Sequence, residues 1–142
     1  MGKNQVLGAT LSIVILGTAL VGCSTWSFGD RLIDAARAQT NGGVQLGSVL
    51  DGDWDHYLVV CPYDPDVSSR LGFTWEKAPN TAESDSSQLI VFVGNGEVVS
   101  SPRVSRATID LCSGDSWELQ PREVGIHFVV AGGRLLGSPL PG

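Results

Sequence analysis

The chain begins with a segment that decides which of its residues fold into a domain. Lys3 supplies a positive charge near the start, and Val6 to Val21 is an uncharged run rich in leucine, isoleucine, valine and alanine. A basic start followed by such a run is the pattern of an export signal. An uncleaved membrane helix is the alternative, because Val6 to Gly22 reaches the short limit of what spans about 30 Å of hydrocarbon. The glycines in the run and the lack of a basic flank favour the signal.

The apolar run ends in Leu20-Val21-Gly22-Cys23. These residues resemble the lipobox of bacterial lipoproteins, in which a leucine, a small or aliphatic residue and a glycine or alanine precede an invariant cysteine. The resemblance implies cleavage after Gly22, a diacylglyceryl group on the Cys23 thiol, and a location at the cell membrane on its extracytoplasmic side. Two acyl chains hold a protein stably at a bilayer. We therefore expect a signal peptide at 1–22, a lipidated tether at 23–27 and a domain at 28–142.

Removal of the signal would leave 120 residues, a length that fits one domain with a single core. Loss of Lys3 leaves eight basic residues against fifteen acidic ones, a net charge of −7. An acidic surface argues against nucleic acid as a partner and against electrostatic binding to anionic lipid headgroups. The membrane contact should therefore be the lipid anchor.

Cys61 and Cys112 remain once Cys23 is assigned to the lipid. Cysteines of exported proteins commonly pair, and this pair would close a loop of about 50 residues, which stabilises a fold by roughly 3 to 4.5 kcal/mol. Neither has a second cysteine or a histidine within four residues, so the spacing does not indicate a zinc site. We expect a disulfide, with a free buried thiol as the alternative.

Two helices are indicated. Ser27 followed by Asp30 is the pattern of a capping box, and an apolar stripe precedes Asn41-Gly42-Gly43. Asp64-Pro65 predicts the N-cap and first residue of a second, two-turn helix that stops at Gly72. The stripe of the first helix consists of Leu32, Ile33, Ala35 and Ala36.

The strand signals are clearest at two places. Trp54 to Cys61 is apolar on both faces, which predicts a central strand. Gln88 to Val93 and Glu97 to Ser101 flank Gly94-Asn95-Gly96, and an Asn-Gly pair between apolar runs predicts a tight hairpin. The polar stretch from Pro79 to Ser87 predicts a mobile loop before it.

The remaining segments complete the predicted class. Ala107 to Cys112 has the pattern of a strand, and Gly125 to Ala131 is expected to pair with Arg134 to Leu136. Trp117 to Val124 is ambiguous, because Pro121 could start a helical turn there. Helices early and strands late predict one small α+β domain, mainly an antiparallel sheet with one or two short helices packed on it.

Three aspartates, Asp51, Asp53 and Asp55, alternate as at the start of a calcium loop. Such a loop needs glycine at its sixth position and glutamate at its twelfth, where this chain has His56 and Pro62. We expect these carboxylates to lie on a solvated rim, without a metal or cofactor.

His56 and His127 are the only histidines. Asp55 is next to His56, but neighbours in a strand point to opposite faces, so we expect no relay between them. His127 should point away from the core, and no serine lies in a Gly-x-Ser-x-Gly turn. The sequence therefore predicts a protein without enzymatic activity. A small hydrolase that uses one of the histidines is the less favoured alternative.

An aromatic group surrounds the first strand and the second helix: Trp54, Tyr57, Tyr63, Phe73 and Trp75. Core packing is the common role of such a group. The alternative is a partly exposed patch in which Trp54, Tyr57, Tyr63 and Trp75 bind a partner, together with Asn95 at the hairpin tip.

Short motifs mark residues 44–112: Trp54-Asp55, Pro62-Tyr63, Leu71-Gly72 with Trp75, and Leu89 to Val93 with Gly96 and Val98-Val99. On these motifs the segment resembles a loose family of small uncharacterised bacterial exported proteins and lipoproteins. Cys61 stands where that family has a small residue such as glycine, a departure that fits a disulfide to Cys112. The resemblance implies an exported domain and carries no activity.

The predicted location and the lack of a catalytic constellation favour a non-catalytic module that binds an envelope protein or a cell-wall component. The alternative is an inhibitor or exclusion protein that acts on an envelope enzyme or a phage. In that case the 79–87 loop or the Asn95-Gly96 tip would insert into the target.

Overall fold

The computed structural model describes residues 26–80 and 84–141. The predicted signal peptide, the lipobox and Cys23 lie outside the described residues, as do three residues of the predicted 79–87 loop. The described part contains two α-helices, a short 3-10 helix at Leu46–Ser48 and eight strands. In chain order these are α1 (Phe28–Arg37), β1 (His56–Val60), α2 (Val67–Leu71), β2 (Ser87–Gly94), β3 (Glu97–Ser100), β4 (Arg103–Ser105), β5 (Ile109–Asp110), β6 (Gln120–Pro121), β7 (Ile126–Ala131) and β8 (Arg134–Pro139).

The predicted fold class is confirmed: a small, mainly antiparallel α+β domain with two short helices and a Cys61–Cys112 disulfide. The strands form two sheets, however, rather than the single sheet that the sequence suggests. The five-stranded sheet has the order β3-β2-β1-β6, with β4 also paired to β2. The three-stranded sheet has the order β5-β8-β7. The long β7–β8 hairpin forms this second sheet together with β5.

Helix α1 begins as predicted. The Ser27 side chain accepts from the Asp30 backbone, and the Asp30 carboxylate accepts from the Ser27 N–H, which completes the capping box. Phe28, Leu32 and Ala36 are buried, and the Phe28 ring meets Phe92 edge-on with ring centroids 5.6 Å apart. A ten-residue helix is marginal alone, so this packing is what stabilises it.

The central strand and the hairpin are also confirmed. Strand β1 pairs with β2 on one side and with β6 on the other. Asn95 and Gly96 connect β2 to β3 with φ angles of 52° and 75°. Positive φ at both central residues is the conformation of the turn that Asn-Gly favours.

One predicted boundary is wrong, and one ambiguous segment is resolved. Helix α2 begins at Val67 rather than at Pro65, because the Asp64 carboxylate binds the Arg70 guanidinium and does not cap the helix. Pro121 lies in β6, opposite His56, and its carbonyl accepts from the Val124 N–H at 3.0 Å, which closes a single turn rather than a helix. The Arg122 N–H then donates to the Asp55 carbonyl at 2.8 Å, which continues the ladder beyond the proline.

One buried side chain joins the two sheets. Gln88 in β2 is 1% exposed, and its amide donates to the Ile109 carbonyl at 2.8 Å and accepts from the Leu111 N–H at 2.9 Å. These two hydrogen bonds take the place of the backbone hydrogen bonds that would pair β2 with the β5 segment. They fix where the chain that follows β5 leaves the three-stranded sheet.

Candidate binding cleft

A cleft of about 420 Å³ lies where the edge of β8 faces the chain that runs from β5 to β6. We call it the edge cleft. Its lining consists of Leu111, residues 114–118, Gln120 and residues 137–139. Its volume falls in the range of small-ligand sites.

The cleft exists because the chain turns away from β8 soon after β5 begins. Strand β5 pairs with β8 in parallel over two residues only, Ile109 and Asp110. Cys112 is then bonded to Cys61, which follows β1 in the other sheet. The disulfide therefore draws the chain across to the five-stranded sheet and leaves the end of β8 uncovered.

The wall opposite β8 is held in place by buried contacts. The Trp117 indole N–H donates to the Leu111 carbonyl at 2.6 Å, and the Trp117 side chain is almost fully buried. The Arg70 guanidinium donates to the Trp117 carbonyl at 2.6 Å and also binds Asp64. The cleft is thus formed before any ligand arrives.

A glycine shapes the other wall. A Cβ atom on Gly137 would overlap Leu111 and lie 2.6 Å from a ring carbon of Phe128 and 3.0 Å from Ile126. Such distances are shorter than van der Waals contact, so only glycine lets Leu111 pack directly on the β8 backbone. This contact forms the apolar base of the cleft.

The rim of the cleft is acidic. Asp115 and Glu118 both line it and both are exposed to solvent. No lysine, arginine or histidine is among the described residues of the lining. Apolar groups at the base and carboxylates at the rim suit a ligand that is partly apolar and positively charged.

The aromatic residues proposed from the sequence do not form a common surface. Trp54 and Tyr57 are buried in the core, the common role of such a group, and the alternative that they bind a partner is wrong for these two residues. Their polar atoms are satisfied internally, since the Trp54 indole donates to the Leu50 carbonyl and the Tyr57 hydroxyl to the Val124 carbonyl. Burial raises the pKa of the Tyr57 phenol. Tyr57 faces inward because β1 has the core on both of its faces, and Trp54, which precedes β1, packs edge-on against the Phe92 ring.

The other proposed contact residues are accessible to different degrees. Tyr63 is 59% exposed, Trp75 is half-buried, and Asn95 is exposed at the tip of the β2–β3 hairpin. None of the three is among the described residues that line the edge cleft.

The histidines differ from expectation in one respect. The His56 Nδ1 lies 2.7 Å from an Asp55 carboxylate oxygen, so the expectation that these two side chains point to opposite faces is wrong. Asp55 precedes β1, and the alternation of side chains does not yet apply to it. The pair is solvent-exposed and lies outside the lining of the edge cleft. His127 is half-buried between the buried Ile126 and Phe128, as the alternation predicts.

The alternating aspartates lie on exposed chain before β1. Within residues 26–80 and 84–141, no three His, Cys, Asp or Glu side chains are grouped as a metal site requires. In the same residues no helix combines the length and hydropathy needed to cross a bilayer.

None of the residues predicted from the sequence to bind a partner lines the edge cleft. A signal was present, because the disulfide cysteine Cys112 is followed by the polar run Ser113-Gly114-Asp115-Ser116 and then by an isolated tryptophan. An anchored, polar loop that returns to the core through one large apolar residue is typical of a binding loop on a rigid scaffold.

No protein-family model, curated protein or solved structure matches this chain. The resemblance of residues 44–112 to exported bacterial proteins therefore stays a prediction from short motifs.

Proposed function

We propose that this chain is a lipid-anchored, extracytoplasmic binding protein without catalytic activity, and that its edge cleft holds part of an envelope partner. The observation that carries the proposal is the cleft itself. It combines an apolar base with an acidic rim, and its walls are fixed by a disulfide and by buried hydrogen bonds. A site formed in advance binds without the cost of ordering its own loops.

The anchor is consistent with this use of the domain. The lipobox pattern ends at Cys23, and α1 begins with its cap at Ser27. Four residue steps span at most about 14 Å, so a lipid on Cys23 would hold the domain close to the membrane surface. The partner should then be a protein or a wall component that approaches this surface.

Mass spectrometry of the mature N-terminus tests the anchor. We expect a chain that begins at Cys23 and carries a diacylglyceryl group, whereas Cys23→Ser should keep residues 1–22. An intact N-terminus in the unsubstituted protein, or cleavage without lipid, would contradict the anchor.

Site-specific photo-crosslinking in cells that express the full chain tests the cleft. A photoreactive residue at Ser116 or Ser138, inside the cleft, should give a discrete adduct. The same residue at Asp34 or Glu76, which are exposed elsewhere, serves as the control and should give none. Equal adducts at all four positions, or adducts at none, would refute the cleft as the binding site.

The β2–β3 hairpin favours a second candidate function, the inhibition of an envelope enzyme or the exclusion of a phage. Its tip is exposed and its turn is rigidly defined, and it borders a depression of about 350 Å³ near Arg122. Asn95→Gly keeps the turn and removes the side chain, and Glu97→Arg reverses the charge beside it. If the tip inserts into a target, both variants should lose inhibition while the crosslinks from the cleft persist. Unchanged inhibition would exclude the tip.

A further inference from the structure

The exposed end of β8 offers hydrogen-bond acceptors to the edge cleft. Along a strand, alternate residues direct both of their backbone groups to the same side. The Leu135 N–H donates to the Thr108 carbonyl at 2.9 Å, so Leu135, Gly137 and Pro139 face the β5 side. The pairing of Ser138 with His127 and of Leu136 with Val129 in β7 agrees with this alternation.

Beyond Asp110 the ladder has no further donor. In a parallel ladder the pairing of Asp110 with Leu136 uses the Gly137 N–H, which bonds to the carbonyl of residue 110. The next N–H in line for the Gly137 carbonyl belongs to Cys112, but it donates to the Asp110 carboxylate at 2.8 Å. Pro139 has no N–H at all. This stretch of edge therefore presents the carbonyls of Gly137 and Pro139 to the cleft.

Two side-chain donors of the opposite wall, the Trp117 indole and the Gln120 amide, are already engaged. The Trp117 indole N–H is bonded to the Leu111 carbonyl, and the Gln120 side-chain amide donates to the Glu118 carbonyl at 3.2 Å. The Glu118 carboxylate interacts electrostatically with Arg70, whose guanidinium is held by Asp64 and by the Trp117 carbonyl. The acids Asp64, Asp115 and Glu118 outnumber that single cation, so the surroundings of the cleft stay negative.

From this arrangement we infer that the edge cleft binds the ammonium or guanidinium group of a basic side chain on a partner polypeptide. The inference rests on the proposed binding function and names the chemistry of its ligand. The carbonyls of Gly137 and Pro139 accept the N–H donors, while Asp115 and Glu118 compensate the positive charge. Leu111 and Trp117 lie at the base of the cleft but are almost fully buried, so the exposed ring of Pro139 supplies most of the apolar contact for the methylene groups of the side chain.

The test uses the full chain in a neutral detergent, with NMR chemical shifts as the readout. Four probes are titrated: the Nα-acetyl methylamides of lysine, arginine and the uncharged norleucine, and 1,5-diaminopentane. The two basic amino-acid probes should shift residues 115–118 and 137–138 and the indole N–H of Trp117. Norleucine, which has the same apolar stem without the charge, should shift them at least tenfold less at equal concentration.

Matched variants separate the cleft from general acidity. Asp115→Asn with Glu118→Gln should weaken binding of the lysine probe about tenfold, which corresponds to about 1.4 kcal/mol. Asp51→Asn with Asp53→Asn changes the net charge equally at exposed positions outside the cleft and should leave binding unchanged. Binding weakened equally by both pairs would overturn the inference, as would norleucine shifts as large as those of lysine.

The remaining outcomes are equally decisive. Tighter binding of diaminopentane than of the lysine probe would overturn the assignment to a polypeptide, since the probe's amide groups would then contribute nothing. Crosslinks from the cleft in cells without any shift by a basic probe would overturn this inference and leave the proposed function standing. Loss of both crosslinks and shifts would overturn the two together.

Discussion

Replacement of Gln88 by methionine should lower the free energy of unfolding by about 4 kcal/mol. Methionine has a similar volume, so the loss comes from hydrogen bonding rather than from a cavity. The substitution leaves the Ile109 carbonyl and the Leu111 N–H without the partners now at 2.8 and 2.9 Å. Each buried backbone group that loses its partner costs about 1–3 kcal/mol, and two such groups give the value expected.

Gln39 provides the matched comparison. Its side-chain amide pairs with both backbone groups of Phe128 on the outer edge of β7, in the same two-bond arrangement, but it is only partly buried. Water can replace the lost partners there, so Gln39→Met should cost about 1–2 kcal/mol. The difference between the two variants therefore isolates the effect of burial.

Chemical denaturation followed by tryptophan fluorescence measures both values, with the disulfide kept oxidised. Equal m-values for the variants and the unsubstituted protein would show that the denaturant reports stability alone. If Gln88→Met lowers the free energy of unfolding by no more than Gln39→Met does, the Gln88 amide does not replace backbone hydrogen bonds between the sheets.

Three further perturbations have expected outcomes. Substitution of Cys61 and Cys112 by alanine releases a cross-link between residues 51 positions apart. The midpoint of denaturation should fall by an amount equivalent to about 4 kcal/mol. An unchanged midpoint would contradict the pairing. Gly137→Ala should destabilise by about 1–3 kcal/mol through steric overlap at the base of the cleft. A thermal melt should show a smaller effect for Gly42→Ala, because a Cβ at Gly42 would meet no atom within 4 Å and its φ is not in the left-handed region. Burial by itself would raise the pKa of Asp110, but hydrogen bonds from Arg106 and Cys112 and the charges of Arg106 and Arg134 outweigh it, so the pKa of the folded state is lowered. The stability that this carboxylate contributes is present above about pH 4 and is lost as the pH falls through the lowered pKa. Below about pH 4 the free energy of unfolding should therefore depend less steeply on pH in Asp110→Asn than in the unsubstituted protein.

Local signals in the sequence located most of the regular structure. The capping box at Ser27, the Asn95-Gly96 turn and the doubly apolar strand β1 all depend on residues within a few positions of one another. These three features form as predicted because they depend on backbone preferences and on hydrophobic burial, which can be recognised in a short stretch of sequence. The start of α2 could not be predicted in this way. The Asp64 carboxylate binds the Arg70 guanidinium instead of capping the helix, and no rule of residue spacing includes that side-chain contact.

The edge cleft depended on contacts between distant residues. Its walls come from β8 and from the chain after Cys112, and nothing near either segment in the sequence indicates the other. The parallel pairing of β5 with β8 stops after two residues because the Cys112 N–H turns to the Asp110 carboxylate and its side chain to Cys61. The sequence could predict that two cysteines bond, but not which strand edge the bond would leave open.

The sequence by itself determined the class of the domain, the cap of its first helix, its hairpin turn and its disulfide, because these depend chiefly on residue type and local order. Only the tertiary structure decided that the strands divide into two sheets and that Tyr63 is exposed whereas Trp54 and Tyr57 are buried. It also placed Asp115, Glu118 and the carbonyl of Gly137 around one cleft. The physical reason is that exposure, pairing and the partner of each hydrogen-bonding group are set by whichever distant segment packs against it.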